Sequence, residues 1–215
     1  MSRTIKLVIG DKNLSSWSMR AWLAAKASEI PFEEILVRLD TPDTKSKLQK
    51  YSPSQRVPCL IDGDLRIWDS LAIAEYLAEM APDKELWPKH AAKRALARSM
   101  TAEMHSGFAA LRNQLSMDLR LSIQVRHLTA DTISDIRRVV DLWSNAVKVS
   151  DGPYLFGRFG IVDAFYAPVV FRFMSYGIEV KSPECQRYMS AIRENRIVKE
   201  WFDAGIKEEP IPCTF

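Results

Sequence analysis

Ile5 to Ile9 is a short aliphatic run, interrupted by Lys6 and closed by Gly10-Asp11, which predicts a buried strand followed by a turn. Past Asn13-Leu14-Ser15-Ser16 the chain is rich in Ala and Leu from Trp17 to Ala27, predicting a helix capped by a serine and closed by Pro31. Phe32 to Val37 predicts a second strand, and the polar stretch from Asp40 to Lys50, opening on Thr41-Pro42-Asp43, a short exposed helix. Val57 to Ile61 and Leu65 to Trp68 are apolar runs on either side of Asp62-Gly63, so they predict two antiparallel strands joined by a tight turn. Asp69-Ser70 then opens a helix whose apolar positions 73, 76, 77 and 80 share one face.

Pro82-Asp83 and Leu86-Trp87-Pro88 interrupt this order, and from about residue 89 to 205 the period is helical throughout, over 91–116, 129–149, 161–176, 184–193 and 196–204. The expected fold is therefore an α/β domain over 1–82, whose strand-helix-strand-helix-hairpin-helix order resembles the thioredoxin-like fold, and an all-α helical bundle over 89–215. A chain of 215 residues has room for two such units.

Composition narrows the function. Lys and Arg exceed Asp and Glu by 30 to 27, a net +3 too weak to imply a nucleic-acid or membrane surface by charge alone, and neither partner is expected. The N-terminal apolar run is too short for a signal peptide, and no stretch reaches the ~18 apolar residues of a membrane span. Cys59, Cys185 and Cys213 are widely spaced and odd in number, which argues against a disulfide framework or a CxxC motif and points to the reducing cytoplasm. His90, His105 and His127 lack paired ligand spacing, so no metal site is expected.

Three places carry candidate chemistry. Ser15 and Ser16 stand at a helix start, where unpaired N–H groups and the helix dipole favour an anion; one of them also serves as a plain cap. Val57-Pro58 puts a proline at the head of a strand, marking either an edge or a turn with a cis bond that offers the Val57 backbone to a peptide-like ligand. Asp69-Ser70 is a good cap, and also suits a ligand carrying both an ammonium and a carboxylate.

Together, Asn13-Leu14-Ser15-Ser16-Trp17-Ser18-Met19-Arg20, Ser52-Pro53-Ser54-Gln55-Arg56-Val57-Pro58-Cys59-Leu60 and Trp68-Asp69-Ser70-Leu71-Ala72-Ile73-Ala74-Glu75-Tyr76-Leu77 closely resemble the cytosolic glutathione S-transferases, in particular serine-type, zeta-like bacterial members. The resemblance implies a thioredoxin-like domain that binds glutathione and a helical domain that binds a small electrophile, in a cytoplasmic homodimer without metal. It places the catalytic serine on Ser15, with Ser16 as the alternative. Val57 before the cis-Pro58 would pair with the cysteinyl part of glutathione, Asp69 and Ser70 would hold the γ-glutamyl end, and Arg56 or Gln55 would meet the glycyl carboxylate. Met104, His105 and Phe108 would border the electrophile cleft, although the stripe Met100, Met104, Phe108 and Leu111 is read by its spacing alone as core. Arg20 is expected to pack under the first helix as an ion-pair partner.

The implied chemistry is thiol activation. A free thiol with pKa near ~8.5 is only slightly ionised at neutral pH, and a serine hydroxyl favours the thiolate by donating a hydrogen bond to it. Trp17 stands where zeta-type isomerases carry a cysteine, which argues against maleylacetoacetate isomerisation, and Gly160 replaces the usual Ser/Thr cap three residues before Asp163. The expected activity is a glutathione transferase acting on a hydrophobic electrophile. Its rivals are a glutathione-dependent isomerase and a non-catalytic glutathione-binding or stringent-starvation-type interaction protein.

Overall fold

The computed structural model describes residues 4–209, so the tail bearing Cys213 lies outside the described residues. Strands β1 (Ile5–Ile9), β2 (Phe32–Leu36), β3 (Cys59–Asp62) and β4 (Leu65–Trp68) form one sheet in the order β2-β1-β3-β4. β1 runs parallel to β2 and antiparallel to β3, which pairs antiparallel with β4 as its turn requires.

The period of two along β1 divides the core. Ile5, Leu7 and Ile9 join Leu60 beneath helices α1 (Ser16–Ser28) and α3 (Ser70–Met80). Val8 points the other way and meets Val37, Cys59, Ile61 and Leu48, the last on the short helix α2 (Thr44–Tyr51). Cys59 is fully buried in that cluster, and burial raises its thiol pKa, as suits an apolar filler.

The helical half holds α4 (Ala91–Ser106), α5 (Ala109–Gln114), α6 (Ala130–Lys148), α7 (Ile161–Ser175), α8 (Pro183–Glu194) and α9 (Arg196–Lys207). Helix α7 is apolar on almost every side and buried along nearly its whole length, with α1, α4 and α8 packed round it. Trp143 of α6 anchors the bundle against the rings of Tyr166, Phe173 and Tyr188 at 5.2–5.9 Å. Asp163 holds the start of α7 from inside: its carboxyl accepts the N–H of Gly160 at 3.0 Å and of Leu155 at 3.1 Å.

The single helix expected over 91–116 is two. It stops at Gly107, and Phe108 adopts a left-handed backbone with φ 55° before α5 begins. A Cβ on Gly107 would stand 2.8 Å from the carbonyl oxygen of Glu103, so a side chain does not fit this exit. Asp135 of α6 accepts the Leu111 N–H at 3.0 Å and so helps cap the start of α5.

Candidate active site

Ser15 is the N-cap of α1, as the serine-then-Ala/Leu pattern predicts. Its Oγ accepts the Ser18 N–H at 3.3 Å and donates to Ser18 Oγ at 2.8 Å, which in turn accepts the Gly10 N–H at 2.9 Å. Ser16 begins the helix, and its Oγ accepts Nη2 of Arg172 at 3.1 Å. Ahead of β3 the Val57–Pro58 peptide is cis, and Val57 lies outside the ladder whose register starts at Cys59 opposite Val8. Asp69 sits at φ 78°, caps α3 by accepting the Leu71 N–H at 2.8 Å, and is followed by the buried Ser70.

These three segments come together. A cavity of about 280 Å³ is lined by Trp17, Arg56, Val57, Pro58, Asp69 and Ser70 with Ser54 and Trp68. A second, about 520 Å³, shares Trp17, Arg56 and Val57 with it and adds both Ser15 and Ser16 together with Arg112 and Arg172. Gln55 also lines the second cavity.

Of the residues expected from the helical half, Met104 is fully buried in the core and Phe108 nearly so, at the break between α4 and α5, and neither lines these cavities. His105 does reach the site: its Nε2 lies 3.2 Å from Asp69 Oδ2, and Trp17 meets its ring edge-on at 5.3 Å. Burial foremost, with Arg20 and Arg112, outweighs the pull of Asp69 and holds the His105 pKa below its ordinary value. This shift favours the neutral form of His105.

Arg20 departs from expectation. It is buried, its guanidinium lies 4.3 Å from the Trp17 ring centre and 5.2 Å from that of Phe165, and its Nε and Nη1 have no hydrogen-bond partner among the described residues. Burial, then Arg112 and Arg172, lower its pKa to about 9. Stacking on aromatic rings replaces the expected ion pair, because the first turns of α1 face α7 and its aromatic side chains.

Sequence reasoning missed Arg112 and Arg172. Arg112 donates to the carbonyls of Met104 and His105 and stands 5.4 Å over the Trp17 ring. The signal for Arg172 was present: it is the one basic side chain in the apolar helix α7. With Arg56 these side chains give the larger cavity three guanidinium groups and, among the described residues, no carboxylate in its lining.

Residues 14–80 match the family described as glutathione S-transferase, N-terminal domain, and residues 90–204 the family described as glutathione S-transferase, C-terminal domain. The chain belongs to the glutathione S-transferase family. It is 41% identical over 99 residues to a probable maleylacetoacetate isomerase of Caenorhabditis elegans, covering 46% of this chain and 45% of that one. It is 29% identical over 180 residues to glutathione S-transferase 1 of Dianthus caryophyllus, covering 79% of this chain and 78% of that one. The chain thus spans about half the length of the first of these relatives. In fold it is similar to a glutathione transferase homologue from Burkholderia gl BGR1 with bound glutathione, at TM-score 0.73 and 25% identity over 95% of this chain and 100% of that one. A zeta-class bacterial maleyl pyruvate isomerase shares the fold at TM-score 0.74 and 21% identity, over 95% and 100%. Among the described residues no helix is long and apolar enough to cross a membrane, and no group of His, Cys, Asp and Glu is arranged to hold a metal ion.

Proposed function

We propose that the chain is a glutathione transferase that binds glutathione through residues 1–82, ionises its thiol beside a serine at the start of α1, and presents the thiolate to an electrophile held against residues 89–215. The observation that carries this reading is the meeting of the α1 start, the cis Val57–Pro58 turn and the Asp69-Ser70 helix start around two adjoining cavities. In that frame Val57 offers its backbone to the cysteinyl unit, Asp69 and Ser70 take the γ-glutamyl ammonium and carboxylate, and Arg56 meets the glycyl carboxylate. No metal enters this chemistry.

A second reading concerns the electrophile. Arg56, Arg112 and Arg172 line the larger cavity with no carboxylate beside them among the described residues, which suits an electrophile bearing an anionic group. Reversible addition of the thiolate to the double bond of an unsaturated carboxylate, rotation and elimination would isomerise it and return glutathione unchanged. The names of the isomerase relatives accord with this, while Trp17 at the cavity wall restricts which substrate fits.

Calorimetric titration with glutathione, followed by turnover of a chlorinated dinitrobenzene and of a cis-unsaturated dicarboxylate, tests both. Binding with turnover of either compound supports an enzyme, and the faster compound identifies the reaction class. Binding with no turnover of any electrophile favours the non-catalytic glutathione-binding protein, and no binding overturns the reading. A cytoplasmic homodimer is the assembly we propose, with the exposed Leu65 and Trp68 of β4 and Leu96 of α4 available to a second copy. Light scattering of the purified protein checks the assembly.

A further inference from the structure

The two serine hydroxyls at the start of α1 have different hydrogen-bond partners. Ser15 spends its proton on Ser18 Oγ, and Ser18 is itself fixed by the Gly10 N–H, so the Ser15 hydroxyl is an integral part of the strand-to-helix turn. Ser16 Oγ accepts from Arg172 and, among the described residues, has no recorded acceptor for its own proton. That proton remains for a ligand in the larger cavity, which Ser16 lines.

Arg172 is well placed to hold Ser16 in this state. It is only 5% exposed, and its Nη1 donates to the carbonyls of Leu115 and Arg112, so the guanidinium is anchored on one side while Nη2 reaches Ser16. Among the described residues it forms no ion pair with a carboxylate. Burial and the neighbouring Arg112 lower its pKa to about 10, which leaves it protonated at neutral pH. A hydroxyl that accepts from a cation is polarised into a stronger donor, and the uncompensated charge behind it favours an anion in front.

We propose that Arg172 is the positioning residue of thiolate formation, holding Ser16, rather than Ser15, as the hydroxyl that meets the sulfur of glutathione. The inference rests on the reading that glutathione occupies these cavities. When the thiol ionises, the S–H bond breaks with both electrons left on sulfur and the proton passes to solvent. Ser16 keeps its own proton and directs it at the sulfur, and Arg172 acts on the sulfur through Ser16 without touching it.

The test is a pH titration of bound glutathione, followed by the ultraviolet absorbance of the thiolate, in the full-length protein. In the wild type the bound thiol ionises below the free value of ~8.5. Ser16→Ala and Arg172→Met each raise the bound pKa by about one unit, a loss of thiolate at neutral pH of up to about tenfold, and the double variant shifts little further because the two act through one hydroxyl. Arg172→Lys, which keeps the charge, recovers part of the loss; it and Ser16→Ala carry the test if Arg172→Met fails to fold. A larger shift for Ser15→Ala than for Ser16→Ala overturns the proposal. So does an Arg172→Met variant that binds glutathione with a wild-type thiol pKa and changes only the KM of the electrophile. If wild-type protein binds no glutathione, or binds it with an unshifted thiol, the proposed function fails and this inference with it.

Discussion

His105 Nε2, on α4, lies 3.2 Å from Asp69 Oδ2 at the start of α3, so the helical half touches the carboxylate assigned to the ammonium of glutathione. His105 faces Asp69, Arg20 and Arg112 among charged groups and Trp17 and Phe165 among rings, and its buried Nδ1 has no hydrogen-bond partner among the described residues. Its pKa is held below the ordinary value, mainly by burial, so at neutral pH it leaves the charge of Asp69 for the ligand.

As pH falls through that lowered pKa, His105 becomes a cation beside Asp69 and competes with the ligand's ammonium. Glutathione binding therefore releases a proton and strengthens as pH rises through the His105 transition. Calorimetry between about pH 5 and 7 is expected to show affinity climbing with pH in the wild type and a flatter profile in His105→Gln. The same depressed pKa contributes to stability with one sign. The contribution is complete above the unfolded value of about 6.5 and is lost as pH drops through the folded one.

Asp69 combines a cap with a charge, and the two are separable. Asn has nearly the shape of Asp and still caps a helix, so Asp69→Asn retains most of the fold while removing the charged partner of the ammonium. Losing a charge-assisted contact of about 1.5–3 kcal/mol is expected to weaken glutathione binding by ~10- to 100-fold, with the melting temperature nearly unchanged. Asp69→Ala loses the cap as well and is expected to show both a weaker Kd and a lower melting temperature.

Much of this fold was legible because its signals are local. The aliphatic run at 5–9, the Asp62-Gly63 turn and the cap-like Asp69-Ser70 each act within a few residues, and the sheet and its flanking helices follow from them. The break at Gly107 was hidden because Met100, Met104, Phe108 and Leu111 keep a helical spacing across it, and all four are in fact buried. Arg172 stood out as the one basic side chain of α7, but its destination was not legible. Arg172 is secured by the carbonyls of Leu115 and Arg112 and by Ser16, groups about 60 and 156 positions away, and no periodicity along α7 encodes such partners.

Asp163 makes stability depend on pH at a site remote from the cavities. Burial raises its pKa to about 7 from 3.8, against the opposing pull of the Leu155 and Gly160 N–H groups. Between these values the folded chain holds a proton that the unfolded chain has released. This group's contribution is therefore greatest below the unfolded pKa and declines as pH rises toward 7. Asp163→Ala removes the acceptor for two buried N–H groups, at about 1–3 kcal/mol each, and is expected to lower the melting temperature by roughly 5–15 °C. The variant is also expected to lose this component of the pH dependence, which denaturant titrations at mildly acidic and neutral pH would reveal as a reduced slope.

Gly107 links the fold to the arginine-lined cavity. The Glu103 carbonyl lies 2.8 Å from where its Cβ would stand and also accepts the Gly107 N–H at 2.8 Å, so Gly107→Ala must push apart the last turn of α4 and the start of α5. A forced shift of packed backbone costs about 1–3 kcal/mol, which in a chain of this size lowers the melting temperature by roughly 3–10 °C. The displaced residues include His105 and Arg112, and Arg112 donates to the carbonyls of Met104 and His105 across the break. Gly107→Ala is therefore expected to raise the KM for an anionic electrophile more than that for a neutral one, measured below the melting transition. A variant that loses stability while both KM values keep their wild-type ratio would show that the break serves packing alone.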